Sequence, residues 1–279
     1  MARRIGLGAA GRGPRMVAVF GLALASLVAA AACGVTNVTP GTTYITPTPG
    51  AVTPLPSGVT PEPTLAPPTI TTFLVESAAL DNRSKVTFHK PVIGGVSDAV
   101  AAKMNDAITA KVNGLISAFT DSGLPAVASG DGPSTLEGDY SIALNTATIV
   151  SLRFTALTNV TGVARPKGQP GSITLLVSSG ATVGLIDLFS DQAKALSTVA
   201  SQCKSELTKT LGADLTWDGK ASSFDFFNKA WVITPPGLEF VFAQGDLASQ
   251  AAGMPSATVP WSALKSVVKP TGPAGEFVK

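Results

Sequence analysis

Residues Ser97–Gly123 read SDAVAAKMNDAITAKVNGLISAFTDSG. Val100, Met104, Ile108, Val112, Leu115 and Phe119 recur every three or four residues, the spacing that gathers side chains on one face of an α-helix. Ser97-Asp98 offers a start and Gly123 a stop, so one long helix is expected here. The flanking stretches carry a different period. Phe73–Ala79 and Lys85–Val92 surround the turn-prone Asp81-Asn82-Arg83 and read as a hairpin. Leu136–Asn145 and Ala147–Leu157 read as two consecutive strands, with Tyr140, Ile142 and Leu144 alternating in one and Ile149, Leu152 and Phe154 marking the other. A helix set between paired strands predicts an α+β fold rather than a doubly wound parallel sheet.

The second half repeats the theme. Ser172–Ser178 is a further strand, and Ser190-Asp191 opens a second helix whose apolar face is Leu196, Val199, Ala200, Cys203, Leu207 and Leu211, ending at Gly212. Ala230–Thr234 and Leu238–Ala243 flank Pro235-Pro236-Gly237, a strong turn signal. Val259-Pro260-Trp261 closes a last short strand, and Ser262–Val268 forms a final short helix. The expected architecture is therefore mixed, largely antiparallel sheet with two main helices and a short C-terminal helix, in one domain over residues 71–279.

The N-terminus is of another kind. Arg3, Arg4, Arg12 and Arg15 precede an apolar run from Met16 to Ala32, which ends at Cys33. A basic segment, an apolar segment and small residues before a cleavage point make an export signal. Small residues directly before a cysteine resemble the lipobox of bacterial lipoproteins, so residues 1–33 are expected to act as a signal with Cys33 lipidated. The position three residues before the cysteine, where such motifs favour Leu, is Ala30. Cleavage near Ala32 with soluble release, or an uncleaved anchor, are the alternatives. Localisation on the extracytoplasmic face of the cell membrane follows, with secretion as the alternative.

Residues 34–70 are rich in Thr and Pro, as in Thr46-Pro47-Thr48-Pro49 and Thr60-Pro61-Glu62-Pro63. Dense proline removes backbone donors and favours extended polyproline II, so a stalk without regular structure is expected. At roughly 3 Å per residue it would reach on the order of 100 Å.

The chain carries 20 basic and 18 acidic side chains; without the four leader arginines the balance is 16 to 18, or −2. Nothing resembles the basic surface that nucleic-acid binding needs. His89 is the only histidine and has no companion at metal-ligand spacing, so neither a metal site nor any cofactor is expected. No Gly-x-Ser-x-Gly elbow occurs. Cys203 lies on an apolar helical stripe, where a thiol is ordinarily buried and inert. Trp217, Trp231 and Trp261 are expected in the core, and Asp225 and Asp246 lack an evident carboxylate partner. These residues give no catalytic set.

Short motifs recur in a fixed order: Pro91-Val92-Ile93-Gly94-Gly95, Ile149–Phe154, Gly162-Val163-Ala164-Arg165-Pro166, Gly184–Phe189, Gly237–Phe242 and Val259–Leu264. In this order the region resembles the extracytoplasmic C-terminal domain of RsiV-type anti-sigma factors, a fold shared with secreted mycobacterial antigens. That resemblance implies binding of lysozyme. The family loop commonly reads Gly-Gly-Ala-His-Pro, whereas Arg165 stands at the His position here; Gln244–Ala248 stands where the family has a Tyr and a Pro.

The expected function is therefore a cell-surface lipoprotein with a non-catalytic envelope-binding domain for a lysozyme-like protein or peptidoglycan fragments. The rivals are a cell-wall polymer hydrolase or deacetylase accessory, and a structural surface antigen. Loops on a rigid scaffold commonly carry recognition, which directs attention to Thr161–Gln169 and Gln244–Gly253. Arg165, Pro166, Gln244 and Asp246 are the candidate binding residues.

Overall fold

The computed structural model describes residues 66–78, 83–126, 128, 131–217 and 219–279. The expected signal segment, Cys33, most of the stalk and the Asp81-Asn82 turn lie outside these residues. The chain divides into two units, Met1–Val59 and Thr60–Lys279, and all described residues belong to the second.

The strands are β1 (Thr69–Ala78), β2 (Ser84–Gly94), β3 (Ser134–Asn145), β4 (Ile149–Asn159), β5 (Lys167–Leu176), β6 (Trp231–Thr234), β7 (Gly237–Val241) and β8 (Ser256–Pro260). The helices are α1 (Asp98–Thr120), α2 (Gln192–Leu211) and two single turns, α3 (Phe224–Phe227) and α4 (Trp261–Leu264). Strand β1 begins two residues inside the segment expected as stalk. A five-stranded sheet has the order β1-β2-β3-β4-β5, and a three-stranded sheet the order β6-β7-β8. All pairings are antiparallel except β2 with β3, which α1 connects as a parallel pair. The architecture is α+β with mixed, largely antiparallel sheets, as the sequence predicts.

Helix α1 buries Met104, Ile108, Val112, Leu115 and Phe119 against one face of the larger sheet, where Val86, Phe88, Leu136, Val150, Leu152 and Phe154 wait for them. Gly138 on β3 allows the Phe88 ring to lie across the strand, since a Cβ there would come within 1.9 Å of that ring. Strand β4 is buried on both faces in its first half. Ile149 belongs to the second core, with Val199, Cys203 and Leu207 of α2 and Ile233, Leu238, Phe240 and Val259 of the smaller sheet. The three tryptophans are core residues, Trp231 and Trp261 fully and Trp217 in part; Trp217 forms an aromatic cluster with Phe226, Phe227 and Phe242, and Trp261 stacks on Phe277.

Three local expectations change. Leu144 does not share the face of Tyr140 and Ile142: the β3–β4 register shifts between Ile142 and Leu144, and this bulge re-aims Leu144 into the second core, while Ile142, opposite Leu152, stays exposed. Gly237 is the first residue of β7 rather than part of a free turn; a Cβ would lie 2.1 Å from the Val259 carbonyl oxygen, so the glycine permits close approach of β8. The final helix is one turn, Trp261–Leu264, rather than Ser262–Val268. Its continuation is drawn away by main-chain bonds from Ser190 N to Val267 O and from Lys269 N to Leu188 O, and Pro270 disfavours helix just before it. Among the described residues no helix is long and apolar enough to cross a membrane.

The sheets are joined by hydroxyls. Ser151 Oγ accepts from Ile233 N at 3.0 Å and shares a 2.8 Å bond with Thr174 Oγ1, while Ser172 Oγ accepts from Trp231 N at 2.8 Å. Replacing Ser151 by Ala leaves the Ile233 amide buried without an acceptor. Urea unfolding of S151A is expected to show a loss of about 1–3 kcal/mol.

Candidate functional site

The two loops singled out in the sequence come together. The main-chain N–H of Gln244 donates to Gly168 O at 3.2 Å, and its side-chain Oε1 accepts from Gly168 N at 2.6 Å. The same side chain donates from Nε2 to Gln250 O at 2.7 Å. Gln244 is thus a staple between the start of β5 and the 244–253 loop, with both ends of its amide engaged. Lys167, Gly168 and Gln169, expected in a loop, belong to β5. Arg165 and Pro166 are exposed in the turn just before it. Thr161 anchors the base of that turn, through its N–H to Ser134 Oγ and its hydroxyl to Gly132 O.

Asp246 is positioned by the turn that bonds its N–H to Ala243 O at 3.0 Å. Its carboxylate lies 3.4 Å from Lys229 Nζ, and the Lys220 ammonium donates to its carbonyl oxygen. Beside it opens a cleft of about 500 Å³ whose walls include Ala110, Lys111, Gly114, Lys167, Gln169 and Lys229. Three lysines thus line one cleft that holds a single carboxylate, that of Asp246, already paired with Lys229. Lys111 is the least solvated of them, and burial lowers its pKa below the ordinary 10.5. A partly dehydrated ammonium attracts an incoming anion more strongly than an exposed one, because less water has to be displaced. The arrangement can hold a carboxylate or similar anion; it offers no paired carboxylates for acid–base work.

The other candidate chemistry is placed elsewhere. His89 Nδ1 stands 3.8 Å from Asp139 Oδ1 on the open face of the larger sheet, both side chains half or more exposed. Cys203 is fully buried, and burial, followed by the nearby Glu206 charge, pushes its thiol pKa up, which suits an inert core thiol. Among the described residues no cluster of His, Cys, Asp and Glu could hold a metal ion. A larger cavity, about 1000 Å³, opens between the start of α1, the β3–β4 turn and the residues around Pro270–Lys279. None of the sequence-predicted binding residues lines it.

Sequence reasoning missed Lys111, Lys167 and Lys229. For Lys111 a signal existed: it stands three residues after Ile108 and four before Leu115, a charge set into an apolar stripe.

Comparison with known proteins finds a partial match to one family model and a likeness of fold to two solved structures. Residues 186–262 match the family model described as "Protein of unknown function (DUF3298)". That segment spans α2 and the smaller sheet, and includes Lys229, Gln244 and Asp246. Solved structures extend the likeness over the larger sheet. A member of the DUF3298 family from Bacteroides fragilis has a TM-score of 0.51 at 11% identity, covering 77% of this chain and 99% of that one. A DUF3298 family protein from Pseudomonas aeruginosa PAO1 has a TM-score of 0.50 at 13% identity, covering 74% and 96%. Such identities speak for the fold alone. No curated protein matches the chain.

Partial burial of the Lys111 ammonium disfavours its charged form in the folded chain. Because its folded pKa is lowered, the unfolded chain binds more protons in the window below 10.5, and stability rises with pH across it. Lys111→Met removes that cost. Its midpoint of thermal unfolding is expected to lie above that of the parent at pH 7, with the gap closing as pH approaches 10.5.

Proposed function

We propose that this chain is a cell-surface lipoprotein, held at the extracytoplasmic face through lipidated Cys33. Its α+β domain is a non-catalytic binding module, of the RsiV type, that takes a carboxylate-bearing envelope ligand in the cleft between α1, the start of β5 and the 243–246 turn. The observation that carries the ligand class is the convergence of Lys111, Lys167 and Lys229 on that cleft. Peptidoglycan fragments bear free carboxylates on their peptides and fit this charge. Lysozyme, the partner that the family resemblance implies, is a basic protein and would have to approach through another face. Arg165 is exposed in the turn before β5 and is not among the residues that line the cleft.

A hydrolase of wall polymers would need a carboxylate free to act as acid or base. Asp246 is engaged by Lys229, and Asp225 sits exposed on α3 without a second carboxylate bonded to it. The binding reading asks less of the residues present.

Ligand that binds only the folded state raises the unfolding midpoint by mass action. Thermal unfolding with excess muropeptides is expected to show a reproducible rise that the Lys167→Met, Lys229→Met double variant loses; no rise with muropeptides or lysozyme at concentrations far above micromolar would remove this function. For the anchor, intact-mass analysis of membrane-extracted protein is expected to show acyl mass on an N-terminal Cys33, and Cys33→Ser should release the protein from the membrane fraction. An unmodified Cys33 in membrane-bound protein would contradict the lipoprotein reading.

A further inference from the structure

Strand β5 is the last strand of the larger sheet, and only parts of its outer edge have main-chain hydrogen-bond partners. At one end Gly168 exchanges bonds with Gln244, its N–H with the side-chain oxygen and its carbonyl with the main-chain N–H. At the other, Thr174 O accepts from Val183 N at 2.8 Å and Leu176 N donates to Ala181 O at 2.9 Å. Main-chain groups of a strand turn to the same edge every second residue. Gly168, Thr174 and Leu176 therefore set the phase, and Pro170 and Ser172 between them point outward too. Among the described residues no partner bonds the main chain of Ser172 or the carbonyl of Pro170 on that side.

This stretch, unpaired along its outer edge though Pro170 is buried and Ser172 half-buried, is the floor of a groove. The lysine-lined cleft of about 500 Å³ runs along Lys167, Gln169 and Pro170, and a second of about 410 Å³ continues along Ser172, Ile173 and Thr174. Both share Ala110 and Lys111 of α1 as one wall; Lys229 and then Asn228 and Trp231 form the other. The α1 wall is kept low by Ala107, Ala110 and Gly114, and nothing lies within 4 Å of where a Cβ on Gly114 would stand.

We infer that the groove binds an extended segment of a partner polypeptide, which adds to β5 as an antiparallel strand and ends in a free C-terminal carboxylate among Lys111, Lys167 and Lys229. The direction follows from charge. An antiparallel strand brings its C-terminus to the start of β5, where the lysines are, whereas a parallel one would bring its ammonium there. Ser172 supplies one N–H donor and one C=O acceptor to the incoming chain, and Pro170 a second acceptor; added strands gain affinity from such main-chain bonds. Proline at position 170 costs no donor that the β4 ladder needs, because its nitrogen faces the open edge. This inference rests on the cleft being the ligand site and specifies what lies in it.

The test uses the full-length protein in detergent and a library of N-acetylated L-hexapeptides with free C-termini, alongside the same library amidated and muropeptides. Free-acid peptides are expected to bind, to slow hydrogen exchange at the Ser172 amide tenfold or more, and to weaken at least tenfold on amidation or in Lys167→Met. Ala110→Phe, which fills the shared wall, should abolish binding while leaving the unfolding midpoint near that of the parent. If muropeptides bind in a lysine-dependent way but no hexapeptide slows exchange at Ser172, the strand-addition inference is overturned and the anion cleft stands. If amidated peptides bind as well as free acids, the assigned direction and the role of the lysines are overturned. If no library member and no muropeptide binds, the cleft reading fails and this inference with it.

Discussion

The structure hangs on a problem of edge satisfaction. The smaller sheet has β6 as an edge, and that edge is buried against the larger sheet, where water cannot reach its N–H groups. Ser151 and Ser172, on two neighbouring strands of the larger sheet, present hydroxyls to the amides of Ile233 and Trp231. An unpaired buried amide costs on the order of a hydrogen bond or more, so these side chains fix where the two sheets cross. With β4 pinned between α1 on one face and β6 on the other, both faces of its first half become core. Placement of the second sheet then decides everything downstream: the aromatic cluster, the 243–246 turn and the position of Lys229 beside β5.

That same crossing builds the cleft. Ser172 lies on β5 with its hydroxyl committed to β6 and its main chain on the open side, so the strand is anchored at the point where its edge is free. Gln244 closes one end of the edge by imitating a neighbouring strand's bonds, and the Ala181–Val183 segment closes the other. A groove bounded at both ends and walled by small residues is a defined site, and its lysines give it a sign. Lys111 carries the cost of this arrangement, since its ammonium is partly removed from water on the core-facing stripe of α1.

Much of the frame was legible. The 3.6-residue period over Val100–Phe119 and the capping residues at Ser97 and Asp191 located both long helices, and Asp191 does cap α2 through Lys194 N. The two loops chosen for recognition do adjoin, yet the residues chosen within them divide: Gln244 holds the loops together, Asp246 is paired, and Arg165 and Pro166 stay in solvent. The lysines that line the cleft come from α1, β5 and the approach to β6, separated by 118 positions from Lys111 to Lys229. No local pattern relates residues so far apart. Only Lys111 betrayed itself, by interrupting an apolar stripe.

By itself the sequence determined the two long helices, most of the strands, the α+β class and the apolar stripe of each long helix, because those follow from side-chain periodicity and turn chemistry between near neighbours in the chain. The tertiary structure decided the bulge that re-aims Leu144 into the second core, the close approach that demands Gly237, the early end of the last helix and the union of three distant lysines along a strand edge. These depend on which surfaces meet when two sheets cross, and that is set by packing and by the satisfaction of buried polar groups between segments remote in the chain.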